Sequence, residues 1–366
     1  MTILSTLKAR ALGTATAGAL VAAAAATPLA AQEFKFRLAT IDVETGVYFT
    51  NIAKPFAELV SELTKGEVEI QPLPGGTVGS VFKLHEALDD GLVEMVSWTA
   101  AYMGTDDPTN AMINTFPTGL GVDSMLAWTY QGGGEKLLTD FRADTMGVHS
   151  IVLGAGPSEW FAHSHAEINS VADLEGKKYR TLGNWAAITK EAFNASTTTV
   201  PGAEVYSMLE KQGLDMAEYS MPGENWNQGL HETAEYVIYP GIHAPAWTFE
   251  LMIDPDAWAS LPADYQRAIE IAAKLVTYES MNRIIMADME AVRKINARVD
   301  EGKNKLIELS PEFKQNAREA ARAWGEKVSA EAAANGNEWP QKVFDSIVKF
   351  QDDWEASAYY MATDKP

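Results

Sequence analysis

Apolar and charged residues alternate from Phe34 to Ala39, the pattern of a strand with one buried face. The period then changes. Phe49, Ile52, Phe56, Leu59, Val60 and Leu63 recur at helical spacing over 48–64, and Gly66 closes the segment. A second alternating run covers 67–72. Gly75, Gly76 and Gly79 make a turn, Ser80 is placed to cap a helix over 81–90, and a third strand follows over 92–98. Strand, helix, strand, helix, strand is the order of a parallel α/β sheet. A similar series returns later, with strands over 177–181, 196–200 and 214–219 and helices over 186–195 and 203–211. "LHEALDDGLVEM" (84–95) and "VYSMLEKQGLDM" (205–216) are both amphipathic helices that end at a glycine before a strand. Helix–glycine–strand connections are common; the further reading is two lobes of similar build facing a cleft. From 261 to about 299 the pattern is helical, through Ile269, Ala272, Ala273, Val276, Met281, Ile284 and Ile285. Two more helices are predicted over 311–335 and from Trp339 onward. No heptad is sustained well enough for a long coiled coil.

A chain of 366 residues is too long for one small core, so two lobes fit its length. The formal charge of -21 argues against a nucleic-acid partner, whose phosphates require a basic face. Lys8 and Arg10 precede an uncharged run over 11–26, and Pro28, Leu29, Ala30 and Ala31 give a small-residue exit. That order predicts a secretory signal peptide over 1–31, cleaved near Ala31. Its removal takes Lys8 and Arg10 with it, and the charge falls from -21 to -23. The absence of cysteine excludes a lipid-anchored cysteine and any disulfide. The expected location is the periplasm.

Enzyme signatures are missing. There is no Gly-x-Ser-x-Gly elbow, no His-Glu-x-x-His and no phosphate-binding loop. His163 and His165 lack the partners that a metal site needs and read as a surface turn. "QGGGEK" (131–136) reads as a turn before a helix over 136–141. Arg180 differs in kind, because it ends a short strand between Tyr179 and Trp185. Ligands bind beyond the carboxyl ends of such strands, and a guanidinium can grip a carboxylate with two parallel bonds. A surface arginine paired with a local acid is the alternative reading. Glu218 ends another strand before Met221, Pro222 and Gly223, where it either meets a ligand or faces solvent. Trp98, Tyr102 and Met103 either close over a ligand or pack in the core.

These segments in this order resemble the extracytoplasmic solute receptors of TRAP transporters, with the branch that binds 2-oxo acids the closest in look. The resemblance runs from about Phe36 into the C-terminal helices. It is carried by "FAELVSELTKGEVEIQPLPGGTVGSVFKLHEALDDGLVEM" (56–95), "TAAYMGTDDP" (99–108), "SVADLEGKKYRTLG" (170–183) and "VYSMLEKQGLDMAEYSMPGENWNQGLHETAEYVIYPG" (205–241). It implies a two-lobed α/β periplasmic-binding-protein fold with a ligand cleft, a long spanning helix and C-terminal helices. The expected division is 32–150 with about 220–252 as lobe I, 151–219 with about 253–330 as lobe II, and 331–366 as a C-terminal helix. The arginine after "GKK-Tyr", here Arg180, is the position that holds the ligand carboxylate. Glu218 and the carbonyl of Tyr219 stand where the branch binds a bridging sodium or calcium ion. Two further cation positions depart from the pattern: Ser158 or Glu159 replaces a glutamine, and Ile242, His243 and Ala244 follow "Tyr-Pro-Gly" where an acid is usual. A tightly held cation is therefore not expected, and no other cofactor. Arg180, Asn184, Glu218, Ser158 and His243 are the expected polar contacts, with Trp98, Tyr102, Trp160, Trp185 and Tyr219 burying the rest. The expected function is capture of a small organic acid, a 2-oxo or 2-hydroxy monocarboxylate or similar, and its delivery to TRAP permease subunits, with a homodimer offered by the long helices. The alternative is a secreted lyase or hydrolase with Glu218 or His243 as base.

Overall fold

The computed structural model describes residues 34–357 and Tyr360; the leader expected over 1–31 lies outside them. Among the described residues, eleven strands form two mixed sheets. In the first, β1 (Phe34–Thr40) pairs in parallel with β2 (Val68–Leu73) and β3 (Met95–Trp98). The sheet is completed by β4 (His149–Gly156) and β10 (Trp247–Ile253), in the order β2-β1-β3-β10-β4. In the second, β6 (Lys178–Arg180) lies in parallel between β7 (Ser196–Thr198) and β8 (Met216–Ala217). There β5 (Ala162–Ser164), β9 (Tyr236–Tyr239) and β11 (Lys305–Glu308) complete the order β11-β9-β5-β8-β6-β7. The fold is two-lobed α/β with long C-terminal helices.

Strands β1, β2, β3, β6, β7 and β8 and the helices between them fall where periodicity places them, within a few residues; the parallel pair β9 and β11 was not foreseen. The antiparallel strands carry no such sign. β10 is buried at all seven positions, so it shows no alternation. It runs antiparallel to both β3 and β4, with an irregularity between Thr248 and Glu250 where Leu153 and Gly154 of β4 face the single residue Phe249. Strand β9 lies inside 220–252, the stretch expected for lobe I, yet pairs in the second sheet with β5 and β11.

Glu250 is an acid inside that buried run. Arg142 meets it with Nη2 at 2.7 Å and Nε at 2.9 Å, and Ser150 Oγ donates at 3.0 Å. Arg142 also donates to Asn110 Oδ1. A buried charge pair persists only when its remaining hydrogen-bonding capacity is filled in this way.

The helix Ala263–Asp300 has 38 residues, about 57 Å at the helical rise. Its Ile269, Val276 and Ile284 pack with Leu38, Met95 and Leu251 of the first sheet, whereas Ile295 packs with Val237 of the second. Helices Pro311–Ala334 and Trp339–Ser357 pack on one another and contribute Phe313, Val343, Phe344 and Ile347 to the largest core. Among the described residues, no helix is long and apolar enough to cross a membrane.

Candidate functional site

The chain passes between the sheets beside this core. After β4, residues 157–161 lead to β5, and after β9, residues 240–246 lead back to β10. The two passages run together: Glu159 N–H donates to Ala244 O at 3.2 Å, and Gly241 N–H donates to Ser158 Oγ at 3.1 Å. Gly241 is needed here, because a Cβ at that position would lie 2.2 Å from Glu159 O. A cavity of about 580 Å³, its mouth included, opens at this crossing.

One wall is aromatic. Trp247 and Phe249, two apart on β10, and Tyr48 have ring centroids 4.7–5.5 Å from one another. A second wall is the first turn of the helix Gly183–Phe193, whose Gly183, Asn184 and Trp185 line the cavity. The leading N–H groups of a helix have no acceptor within it, which makes such a turn a receptor for negative charge. Asn184 is buried, and its Nδ2 has no protein partner. The third wall is polar: Glu159, Glu218 and His243 place one ligating atom each within 4.8 Å of one another.

The charges in this wall are largely tied to one another. Arg180, 1% exposed, donates through Nη1 to Glu218 Oε2 at 3.0 Å and Glu218 O at 2.7 Å. Its Nε and Nη2 donate to Val200 O at 3.4 and 3.3 Å. Four of the five guanidinium N–H groups are thus engaged. Burial raises Glu218 despite the opposing charge of Arg180. Glu159 Oε2 and His243 Nε2 are 3.0 Å apart, and the other ring nitrogen of His243 has no protein partner. Burial pushes Glu159 up to about 8 and His243 down to about 4, so the imidazole is neutral at ordinary pH.

Of the residues singled out from sequence, Glu218, Tyr219, Asn184, Trp185 and His243 line the cavity together. Arg180 differs from the expected free guanidinium: it is locked to Glu218, and Glu218 forms the wall. Trp98 is fully buried in a core with Val96 and Leu88, against His85. Tyr102 packs edge-on against Phe82, and Trp160 packs with Val237 and Ile295. Ser158 serves Gly241 rather than the cavity. His163 sits in β5 and is 1% exposed, not on a surface turn, and His165 Nε2 lies 3.0 Å from Leu209 O. Sequence reasoning missed Tyr48, Trp247 and Phe249. The i, i+2 spacing of the last two was the one available sign, since it puts both rings on one face of a strand.

The family described as bacterial extracellular solute-binding protein, family 7, matches residues 43–331. A monocarboxylate 2-oxoacid-binding periplasmic protein of Nostoc is 29% identical over 269 residues, 72% of this chain and 71% of the relative. Two TRAP periplasmic solute-binding protein structures share the fold. That from Pseudoalteromonas atlantica, with bound sodium and pyruvate, has a TM-score of 0.82 at 24% identity and covers 90% of this chain and 97% of its own. That from Colwellia psychrerythraea, with bound calcium and pyruvate, has a TM-score of 0.83 at 22% identity with the same coverage.

Proposed function

The chain belongs to the bacterial extracellular solute-binding protein family 7, the periplasmic solute receptors of TRAP transporters, and from that premise we propose that its cavity captures a small monocarboxylate for delivery to a TRAP permease. Family membership makes it a transport component and not an enzyme. The observation that carries the reading is the pairing of the helix start at Gly183–Trp185 with the unpartnered Nδ2 of Asn184 on one cavity wall. In the reading, the carboxylate accepts from these donors. The buried Arg180–Glu218 pair holds the polar wall in place, Tyr219 and Trp185 exclude water, and the rings of Tyr48, Trp247 and Phe249 cover the carbon skeleton. The Nostoc relative's name supports a monocarboxylate, and the pyruvate in the two relatives' structures supports a ligand of a few carbon atoms.

The cation seen in those relatives fits poorly. Sodium and calcium sites are built from several oxygens. Here one of the three clustered donors is an imidazole nitrogen, Glu218 Oε2 is held by Arg180, and Glu159 Oε2 is held by His243. Neither Glu218 with the carbonyl of Tyr219 nor the cluster as a whole supplies a cage for a hard cation. No role is assigned to a metal ion.

Calorimetry with a panel of small carboxylates tests the reading. At least one should bind, and Asn184→Ala should weaken it about tenfold, the worth of a hydrogen bond to a charged group, while the melting point of the ligand-free protein holds. An unchanged affinity in Asn184→Ala, or a panel without a single binder, would refute it.

A further inference from the structure

Two carboxylates line the cavity, and the protein balances one of them. Arg180 is committed to Glu218. Among the described residues lining the cavity there is no lysine and no arginine, so Glu159 has only the His243 ring beside it. The other charged groups that bear on it are Arg180, already paired, and the acids Glu218 and Asp288. A neutral imidazole can share a hydrogen bond with a carboxylate but cannot cancel its charge. A largely buried acid, its side chain 13% exposed, whose one nearby cation is already paired is costly to keep ionised. Its high proton affinity in the ligand-free protein expresses that cost.

The rings of Tyr48, Tyr219, Trp247 and Phe249 line the same cavity, and aromatic faces attract organic cations once water is excluded. The donor set does not suit a hard metal ion, as argued above. Given the reading that the cavity takes a small carboxylate, we infer that the captured acid also carries a cationic nitrogen. The ligand class is then a small zwitterion, an amino acid or N-alkylated amino acid. Its carboxylate meets Asn184 and the 183–193 helix start, and its ammonium meets Glu159 between the rings. The ligand supplies the positive charge that the wall lacks, and the bound complex is balanced without an added ion.

The test uses mature, chelator-treated protein and matched acids: pyruvate, L-lactate, L-alanine, L-proline and trimethylglycine, each by melting shift and calorimetry. At least one nitrogen-bearing acid should bind more tightly than pyruvate and lactate. Glu159→Gln, which keeps the shape and removes the charge, should cut that preference at least about tenfold. Tighter binding of pyruvate or lactate than of any nitrogen-bearing acid overturns the inference and leaves the carboxylate reading standing, as does a preference unchanged by Glu159→Gln. A melting shift produced by calcium or zinc chloride alone and lost in Glu159→Gln also overturns it, because Glu159 would then serve a metal. If no acid of either kind binds, the inference and the carboxylate reading fall together.

Discussion

Arg180 and Glu218 show how differently two residues can behave alone and paired. Each was legible as unusual, a charge at the end of a short strand. Their pairing was not, because it depends on β6 and β8 lying side by side with Arg180 opposite Ala217. Arg180→Ala therefore does more than remove a donor. It leaves a buried carboxylate unpaired, and unfolding in urea should show a loss of about 3–5 kcal/mol. Replacing both, with Arg180→Met and Glu218→Leu, should recover most of that stability while ligand binding is weakened, because the polar wall is gone. A single Arg180→Ala variant as stable as the parent would contradict the pairing. Glu159 was legible only as a departure from a family pattern. Its meaning came from the neighbours that folding supplied.

The long helix and the crossing segments act as elements. Asp288 on the 263–300 helix accepts from Gly223 N–H at 2.7 Å, and so anchors the start of the helix Pro222–Asn227 that follows β8. Burial pushes Asp288 up to about 7, against the backbone hydrogen bond that favours its ionised form. In the unfolded chain it ionises near its ordinary value of about 4. Across the window from about 4 to 7 the native state keeps a proton that the unfolded chain has released, so stability falls as pH rises through it. Urea midpoints of ligand-free protein at pH 4.5 and 7.5 should move closer together in Asp288→Asn. An identical pH slope in the variant would remove Asp288 from the account. The 38-residue helix itself was readable from periodicity, and so were the helices that follow it, because a long 3.6-residue repeat has no competing explanation. The antiparallel β10 was not, since a strand buried on both faces loses its alternation.

At the scale of the molecule, the cavity sits where the chain passes between two sheets, and one long helix packs on both sheets. Receptors of this architecture take up ligand by closing one lobe over the other about such crossings. Small-angle scattering should therefore give a smaller radius of gyration with a binding carboxylate than without it, and the change should vanish in Asn184→Ala at the same ligand concentration. A profile indifferent to a ligand that calorimetry shows to bind would argue for a cavity that fills without closure. In the proposed reading, the charges that bear on binding are those of Arg180, Glu218 and Glu159 at the crossing.

The sequence by itself determined the α/β class, the parallel strands β1–β3 and β6–β8, the long helices and the family, because each rests on local period or on an ordered set of segments spread along the chain. It also marked Glu218, Asn184, Trp185, Tyr219 and His243, which folding brings to one cavity. Only the tertiary structure decided which charges meet. Residues as far apart as Glu159 and His243, or Tyr48 and Trp247, become neighbours through sheet order and crossing segments. The strength of a charge in a protein depends on that neighbourhood, on partners and on lost water, and no local pattern encodes it.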